Sequence, residues 1–279
     1  MSVEADKYYV KSLIKAISVI KSFTATGTEL GVLEIANKVG TSKSTAHRIL
    51  TTLVYGGLLE QSKNSGKYAI GPMLYSIGNL YLETAGIVQV AEFLIKTLGD
   101  MTEEAITLAI RDRANVVFVM VEESKYGLGP RVHVGSIVPI HCCAIGRALM
   151  SDMTMEEIDI LYPEEKLSPL SAKTIDTKTT LKLKLMQQKR DGVSLDSEGV
   201  FDGIEGIAHE VRDNSGKVIA AIGAALPIYR MHQAKREMFK ILIKMGSSLI
   251  SYRLGHNGTV PPIHDIQEIR SWWMENKLD

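Results

Sequence analysis

The sequence contains few of the features that mark secreted or membrane proteins. Its 279 residues include only two cysteines, the adjacent Cys142 and Cys143, so it has no disulfide framework. No uninterrupted apolar run reaches the roughly 18 residues of a transmembrane helix. The first residues also lack the basic-then-apolar order of a signal peptide. We therefore expect a cytoplasmic protein without a membrane partner.

The motifs of common enzymes are missing as well. There is no P-loop, no dinucleotide-binding glycine pattern, no HExxH and no nucleophile elbow. His133, His141 and His209 do not have the spacing of a zinc site. We therefore predict that the chain is not an enzyme and that it uses no cofactor or metal.

Net charge is absent from the whole chain, but the charges are unevenly placed. Residues 1–75 contain nine Lys or Arg and five Asp or Glu, an excess of about +4, and the remainder carries about −4. A basic first quarter favours a polyanionic partner, because each neutralised phosphate releases counterions. Many domains that never meet DNA carry a similar excess, so charge alone does not identify the partner.

Apolar residues recur at three- and four-residue steps near the amino terminus and predict three helices. The second helix covers about Leu33–Val39, Gly40 allows a tight turn, and the third covers about Lys43–Tyr55. Thr41 or Ser42 can cap that third helix. In the first helix, one face is expected to carry an apolar stripe, which comprises Val10, Leu13, Ile14, Ile17 and Ile20.

Two short helices joined by a tight turn are the unit with which many proteins read DNA, the second helix lying in the major groove. Here Leu58–Gln61 and Tyr68–Ile70 add a hairpin, which completes a winged helix. Its candidate DNA contacts are Thr41, Ser42, Lys43, Ser44, Thr45, His47, Arg48, Lys63 and Lys67. The same arrangement occurs in protein-interaction and dimerisation domains. A helical module of that kind, fused to a ligand-binding or enzymatic domain, is the alternative.

Three ordered blocks of this sequence resemble the IclR family of transcription regulators, over about residues 9–254. The first resembles its DNA-binding half and comprises Ala16–Phe23, Glu34–Ala36, Ser42–Leu50 and Tyr68–Gly71. The second and third resemble its effector domain and comprise Gly135–Ser136, Pro139–His141, Ala144–Ala148, Arg190–Gly192, Asp196, Glu198, Gly203, Gly206–Ala208 and Val218–Ala221.

This resemblance implies an α+β protein with an amino-terminal winged helix-turn-helix, a linker helix and a GAF-like antiparallel-sheet effector domain. The expected boundaries are residues 1–71, 72–85 and 86–254, followed by an extension over 255–279. The resemblance also implies homodimers or homotetramers on near-palindromic operators, with repression as the commonest mode. The expected partners are double-stranded operator DNA, a second copy of the chain, and a small effector such as an organic acid or an aromatic metabolite.

The residues after the winged helix predict a linker helix and an α+β sheet with a ligand cleft. The linker contains Met73, Leu74, Ile77, Leu80, Tyr81 and Leu82 and is apolar on more than one side. It either dimerises or packs internally. Strands are expected over residues 105–111, 116–122, 132–134, 206–212 and 218–226, and a long closing helix over Gln233–Arg253.

Candidate effector contacts follow from the resemblance and are His141, Cys143, Ala144, Gly146, Asp196, Gly206, Gly223 and Ala225. Gly206 stands where many relatives carry Cys, and Gly223 and Ala225 stand where several carry Ser. The lost hydroxyls predict an effector larger or less acidic than a short keto acid. Purely structural roles are the alternative for several of these residues. His141 would then hydrogen-bond only to backbone, the cysteines would be small buried apolar residues, and Asp196 would be a solvated loop acid.

Residues 255–279 exceed the usual end of the family. Gly and Pro open this segment, and Ile266–Lys277 could form one short helix. Trp272 and Trp273 would then dock on a neighbouring subunit or belong to a loose tail.

Overall fold

The computed structural model describes residues 9–23, 29–126, 129–258 and 263–277, with the side chains of 79 and 81–85 left aside. The chain forms two compact units, Met1–Ala85 and Gly86–Asp279. Each unit has a core of its own, so each is described by itself. None of the helices within these ranges has the length and apolar character needed to cross a membrane.

The first unit is a winged helix. A tight turn separates its second and third helices, because Gly40 ends the second helix with a φ of +65°, which glycine adopts without strain. Its elements are α1 Lys11–Lys21, α2 Val32–Val39, α3 Lys43–Tyr55, β1 Leu59–Gln61, β2 Tyr68–Ile70 and α4 Pro72–Ala85. Its core comprises Val19, Phe23, Leu30, Ile35, Leu50, Leu53, Leu59 and Tyr68.

The face that α1 buries lies to one side of its apolar stripe. Val19 is fully buried, and Ala16 and Ile20 pack beside it. Four of the five residues of the predicted apolar stripe are 47–60% exposed: Val10, Leu13, Ile14 and Ile17. The reason is that α1 is apolar around most of its circumference, while α2 and α3 cover only one side of it. Periodicity identified the helix but did not select the buried face.

The second unit is built on a six-stranded antiparallel sheet. Its strand order is β5-β4-β3-β8-β7-β6. The strands are β3 Ala105–Asp112, β4 Asn115–Glu122, β5 Ile137–Pro139, β6 Ser194–Ser197, β7 Ile204–Arg212 and β8 Val218–Pro227. The helices are α5 Ile87–Thr102, α6 Ala144–Leu149, α7 Met155–Leu161, α8 Lys178–Asp191, α9 Gln233–Arg253 and α10 Ile266–Asn276.

Helices cover both faces of this sheet. Ile222 of β8 lies against Gly246 of α9, and the next residue, Gly223, lies against Ile145 of α6. Because successive strand residues point to opposite faces, α9 and α6 are on opposite sides. Helix α5 contacts β3 and β4, and both α5 and α9 bury long apolar stripes. The α+β prediction is confirmed, and the α6 side holds the pocket described below.

The two edge strands differ from the prediction. Val132–Val134 was predicted as a strand, but the edge strand is Ile137–Pro139, which pairs with β4. At the opposite edge, β6 was not predicted at all. Both edge strands have only three or four residues, too few to show a clear alternation of apolar and polar residues.

The carboxy-terminal extension folds onto its own unit. Asp265 caps α10 by accepting a hydrogen bond from the Gln267 amide, and α10 contacts α5 and α9. Trp273 is buried edge-on against Phe239, with 6.2 Å between ring centroids. Trp273 is therefore part of the core of its own chain. Neither sequence alternative, a neighbouring subunit or a loose tail, describes this docking.

Candidate nucleic-acid interface and ligand pocket

Helix α3 packs one side against the core and leaves its polar side uncovered. Ala46, Leu50 and Leu53 are buried, and Ile49 is half-buried beside them. The side chains that face outward at its start are Ser42, Lys43, Ser44, His47 and Arg48, with Thr41 and Thr45 half-buried. This helix therefore has the exposed polar face that a groove-reading helix requires.

The first turn of α3 is fixed by its own side chains. Ser42 occupies the N-cap position, where its hydroxyl accepts a hydrogen bond from the Thr45 amide at 3.2 Å. The same hydroxyl lies 2.9 Å from Thr45 Oγ1 and 3.0 Å from Ser44 Oγ. These contacts satisfy an otherwise unpaired amide and hold the hydroxyls together at the helix start. Lys43 and Arg48 are exposed.

The wing is a short hairpin with two lysines at its tip. Strands β1 and β2 pair from Leu59 with Ile70 to Gln61 with Tyr68. The turn closes through backbone bonds from Ser62 to Lys67 and from Gly66 to Ser62, both 2.9 Å. Lys63 and Lys67 are exposed. The wing and α3 meet where His47 Nδ1 lies 3.4 Å from the Tyr68 hydroxyl.

The second unit contains an apolar pocket between the sheet and α6. The empty space in it, counted out to and including its open mouth, is about 570 Å³. Six predicted contacts line it: Cys143, Ala144, Asp196, Gly206, Gly223 and Ala225. The other lining residues are Thr107, Phe118, Pro130, Val132, Val138, Ile145, Val200, Phe201, Ile204 and Ala224.

Strand register explains how distant residues meet in this pocket. Gly206 pairs with Ala225, and Ala225 pairs with Ala105, so β7, β8 and β3 lie side by side at this level. A Cβ at Gly206 would meet Ala144 Cβ at an ordinary 3.5 Å. Gly206 is therefore not required by the backbone, and its missing side chain leaves space in the pocket.

One carboxylate, that of Asp196, lines the pocket, and both of its oxygens already accept hydrogen bonds from the protein. Asp196 Oδ1 accepts from Arg147 Nη2 at 2.9 Å, and Oδ2 accepts from the Gly199 amide at 2.9 Å. Arg147 is buried and also donates to the carbonyl oxygens of Leu195 and His141. Of the described residues that line the pocket, none is Lys, Arg or His. The pocket wall therefore offers a ligand no unpaired positive charge.

Two predicted contacts do not line the pocket. His141 is buried behind it, with Nε2 3.2 Å from the Ser168 carbonyl oxygen and Nδ1 3.2 Å from the Tyr162 hydroxyl. Because a carbonyl only accepts, Nε2 carries the proton, and burial lowers the pKa of this imidazole. Gly146 is a packing residue, since a Cβ there would lie 1.9 Å from the Ile140 carbonyl oxygen.

The two cysteines are protonated and shielded. Burial raises the pKa of the Cys142 thiol to about 12 and that of Cys143 to about 11. The thiolate is the reactive form, so these residues lack the character of redox sensors. Cys143 instead supplies part of the pocket wall.

Sequence reasoning missed the far wall of the pocket. Phe118, Val132, Phe201 and Ile204 are apolar residues that resemble ordinary core positions. Thr107 could have been found from strand pairing, since it stands opposite the predicted contact Gly223. Its hydroxyl lies 3.5 Å from the Gly223 carbonyl oxygen, a distance that leaves it available to a ligand.

Comparison with known proteins identifies both units. Residues 12–63 match the IclR helix-turn-helix domain, and residues 79–252 match the carboxy-terminal domain of the bacterial transcriptional regulator IclR. The HTH-type transcriptional regulator XynR of Escherichia coli K12 is 27% identical over 247 residues, covering 88% of this chain and 98% of that protein. The transcriptional repressor IclR of the same organism is 21% identical over 248 residues, covering 88% and 90%.

Solved structures show the same fold. The crystal structure of an IclR transcriptional regulator from Alicyclobacillus acidocaldarius superposes with a TM-score of 0.76 at 20% identity, covering 88% of this chain and 99% of that one. The matched domains and relatives are transcription regulators and not enzymes. The chain belongs to the IclR family of DNA-binding transcription regulators.

Proposed function

We propose that this regulator is a repressor that reads its operator with α3 and releases it when a small apolar effector enters the pocket of the second unit. The observation that carries the proposal is the two-sided character of α3, whose apolar side is packed and whose polar side is free. Repression is supported by the likeness to the repressor IclR over most of both chains.

Base reading is assigned to the exposed side chains of the first turns of α3. Arg48 can give a guanine two parallel hydrogen bonds, while Ser44 and Thr45 suit either a base or a phosphate. Thr41, Ser42, Lys43 and His47 stand beside them. Lys63 and Lys67 of the wing are placed to contact backbone phosphate, which sets affinity and register but not sequence.

Titration of the full chain with duplex DNA from upstream of its own gene, at two salt concentrations, tests this assignment. Arg48→Ala should weaken specific binding by about 1–3 kcal/mol. Lys63→Ala should instead lower affinity for all sequences and reduce the salt dependence. Arg190→Ala, an exposed arginine of the second unit, is the matched control. Unchanged operator affinity in Arg48→Ala would refute the role of that residue.

The effector is proposed to be an uncharged, aromatic-sized molecule rather than a short organic acid. The wall is apolar apart from Thr107 and Asp196, and Asp196 is already paired with Arg147. Transfer of a carboxylate into such a site without a new partner is unfavourable. The Thr107 hydroxyl is the group expected to orient the ligand.

A matched pair of probes distinguishes the two effector classes. Benzyl alcohol should raise the melting temperature more than benzoate, because a ligand that prefers the folded state stabilises it. Gly206→Val should abolish the shift by filling the pocket, and Gly206→Ala should weaken it less. Tighter binding of benzoate or pyruvate would contradict the proposed class.

Self-association is proposed through the uncovered apolar faces of the first unit. These comprise Val10 at the N-cap of α1, Leu13, Ile14 and Ile17 on α1, and Met73, Tyr75 and Ile77 on α4. The side chains of Tyr81 and Leu82 lie outside the described ones. Exposed apolar patches of this kind mark interfaces. Light scattering should show a smaller assembly for Leu13→Glu than for Leu33→Glu, a control on an equally exposed leucine of α2.

A further inference from the structure

A groove between α1 and α3 carries positive charge next to the proposed DNA-reading face. Lys11, Lys15 and Ala16 line it from α1, and Thr45, Arg48 and Ile49 line it from α3. Of the described residues that line this groove, three are cations and none is Asp or Glu. The side chains of Lys11, Lys15 and Arg48 are all exposed. The rim of the groove is therefore positive and open to an anionic partner.

The groove and the wing lie on opposite sides of the polar face of α3. Thr45 lines the groove, whereas His47 contacts the wing, with its Nδ1 3.4 Å from the Tyr68 hydroxyl. Successive residues of an α-helix are rotated by about 100°, so the side chains of Thr45 and His47 point about 160° apart. Ser44 and Arg48 fall within that arc and are exposed. The proposed base-reading residues thus stand between α1 on one side and the wing on the other.

A helix that lies in the major groove of DNA has one strand along each of its sides. The major groove is about 12 Å wide and a helix with its side chains is about 10–12 Å across, so the helix fills it. With α3 in this position, the wing faces one strand and the amino-terminal half of α1 faces the other. This geometry identifies the anion that charge alone does not, namely the phosphates of the strand on the α1 side.

Lys11 and Lys15 are placed to act together. They are one helical turn apart, about 6 Å along the axis, and both line the same groove. Lys11 is also the first residue of α1, which has no acidic residue in its first turn. A cation at this end opposes the helix macrodipole, so Lys11 does not stabilise the helix to which it belongs. An external anion would offset that repulsion.

We propose that Lys11 and Lys15 of α1 bind backbone phosphates of the DNA strand opposite to the one that the wing contacts. The inference rests on the proposed function, in which α3 lies in the major groove, and it adds a third part to the DNA-binding surface. Phosphate contacts set affinity and register, while base contacts set sequence preference. The two lysines therefore hold α3 in the groove from the side that the wing does not reach.

The first test measures the salt dependence of DNA binding by the full chain. The probes are the duplex from upstream of its own gene and a duplex of unrelated sequence. Lys11→Gln and Lys15→Gln should each weaken binding to both duplexes by the same factor, so that the preference between them is unchanged. Each lost phosphate contact should reduce the slope of log affinity against log salt by about 0.9. A tenfold fall in salt then raises the affinity about eightfold less than in the unaltered protein.

Three controls separate a phosphate contact from other roles of these lysines. Lys21→Gln removes the same charge from the other end of α1 and should change the slope much less. Lys15→Arg keeps the charge and should keep the slope. Both glutamine variants should have an unchanged or raised melting temperature and the same assembly size as the unaltered protein, because Lys11 and Lys15 are exposed.

Phosphate ethylation interference on the operator duplex shows which strand each lysine contacts, since ethylation removes the charge of one phosphate at a time. Ethylation of the phosphates that Lys15 binds should weaken binding of the unaltered protein but not of Lys15→Gln. The same comparison with Lys63→Gln identifies the phosphates that the wing binds. The two sets should lie on opposite strands.

The proposal is overturned if Lys11→Gln and Lys15→Gln keep the slope of the unaltered protein, or if Lys21→Gln loses as much. It is also overturned if α1 and the wing map to the same strand. A changed assembly size without DNA would assign the groove to self-association and overturn it as well. Arg48→Ala distinguishes this failure from that of the proposed function. Full operator affinity in Arg48→Ala refutes the placement of α3, whereas weakened binding there with unaltered slopes in the lysine variants refutes only the contacts of α1.

Discussion

In the first unit, the residues proposed to read DNA lie on the outer face of one helix, α3, whose core contacts are made by other side chains. In the second unit, the pocket residues come from all six strands, α6 and the intervening loops, and several of them are also core residues. A surface site can therefore change with little effect on stability, whereas an interior site cannot. The predictions below test this difference.

The largest effect is expected where the pocket wall is also a buried ion pair. Arg147→Met should lower the free energy of unfolding by about 3–5 kcal/mol, because it leaves the Asp196 carboxylate without its counter-charge. Urea unfolding measures this. Lys125→Met is the control: in the Lys125–Asp100 pair both side chains are at least half exposed, so the expected loss is much smaller. Equal losses in the free energy of unfolding would show that the buried pair contributes no more to stability than the exposed one.

A somewhat smaller effect is expected at the carboxy-terminal helix. Trp273→Ala should cost about 3 kcal/mol, since it removes a buried ring packed edge-on against Phe239. Trp272 is only half-buried on the same helix, and Trp272→Ala should cost less than about 1 kcal/mol. Thermal unfolding of both variants compares them. If Trp272→Ala costs as much, α10 docks differently from the structure.

Acid should destabilise the second unit through His141. Burial and the nearby Arg147 charge lower the pKa of His141 in the folded protein. The unfolded chain therefore binds the proton first, and stability present above about pH 6.5 is lost as the pH falls. Between about pH 7.5 and pH 5.5, the free energy of unfolding should fall further in the unaltered protein than in His141→Gln. His209, whose pKa burial also lowers, is present in both proteins and cancels. Parallel curves would contradict the prediction.

The smallest effect on stability is expected at the DNA-reading surface. Arg48→Ala should change the free energy of unfolding by less than about 0.5 kcal/mol, although it weakens operator binding. The Arg48 side chain is exposed. Its backbone carbonyl oxygen accepts a hydrogen bond from the Thr52 hydroxyl, and the substitution keeps that carbonyl. Urea unfolding next to the DNA titration measures both quantities on one sample. A loss of stability as large as that of Arg147→Met would remove the distinction between the two units.

The elements with strong local signals were predicted well. Helix α3 covers Lys43–Tyr55 as expected, and Gln233–Arg253 is the long closing helix. The central strands β3, β4, β7 and β8 agree within two residues, since each is long enough to show its pattern. The edge strands β5 and β6 escaped prediction because they are short.

More of the DNA-binding surface than of the pocket could be named from the sequence. The polar face of α3 follows from the spacing of Ala46, Leu50 and Leu53, so its exposed residues could be named in advance. In the second unit, the resemblance supplied one side of the pocket, from Cys143 to Ala225. The opposite wall at Phe118 and Phe201 could not be named, because nothing in the sequence distinguishes an apolar residue that lines a cavity from one that fills a core.

The sequence alone determined the helices, the central strands, the tight turn at Gly40 and the outward polar face of α3. These depend on interactions within a few residues, which a linear pattern records. Only the tertiary structure decided which side of α1 is buried and that Arg147 neutralises Asp196. It also placed His141 behind the pocket and Gln188 against the Arg147 carbonyl oxygen. Those outcomes depend on strand register and on packing between segments 40 or more residues apart, which local spacing does not encode.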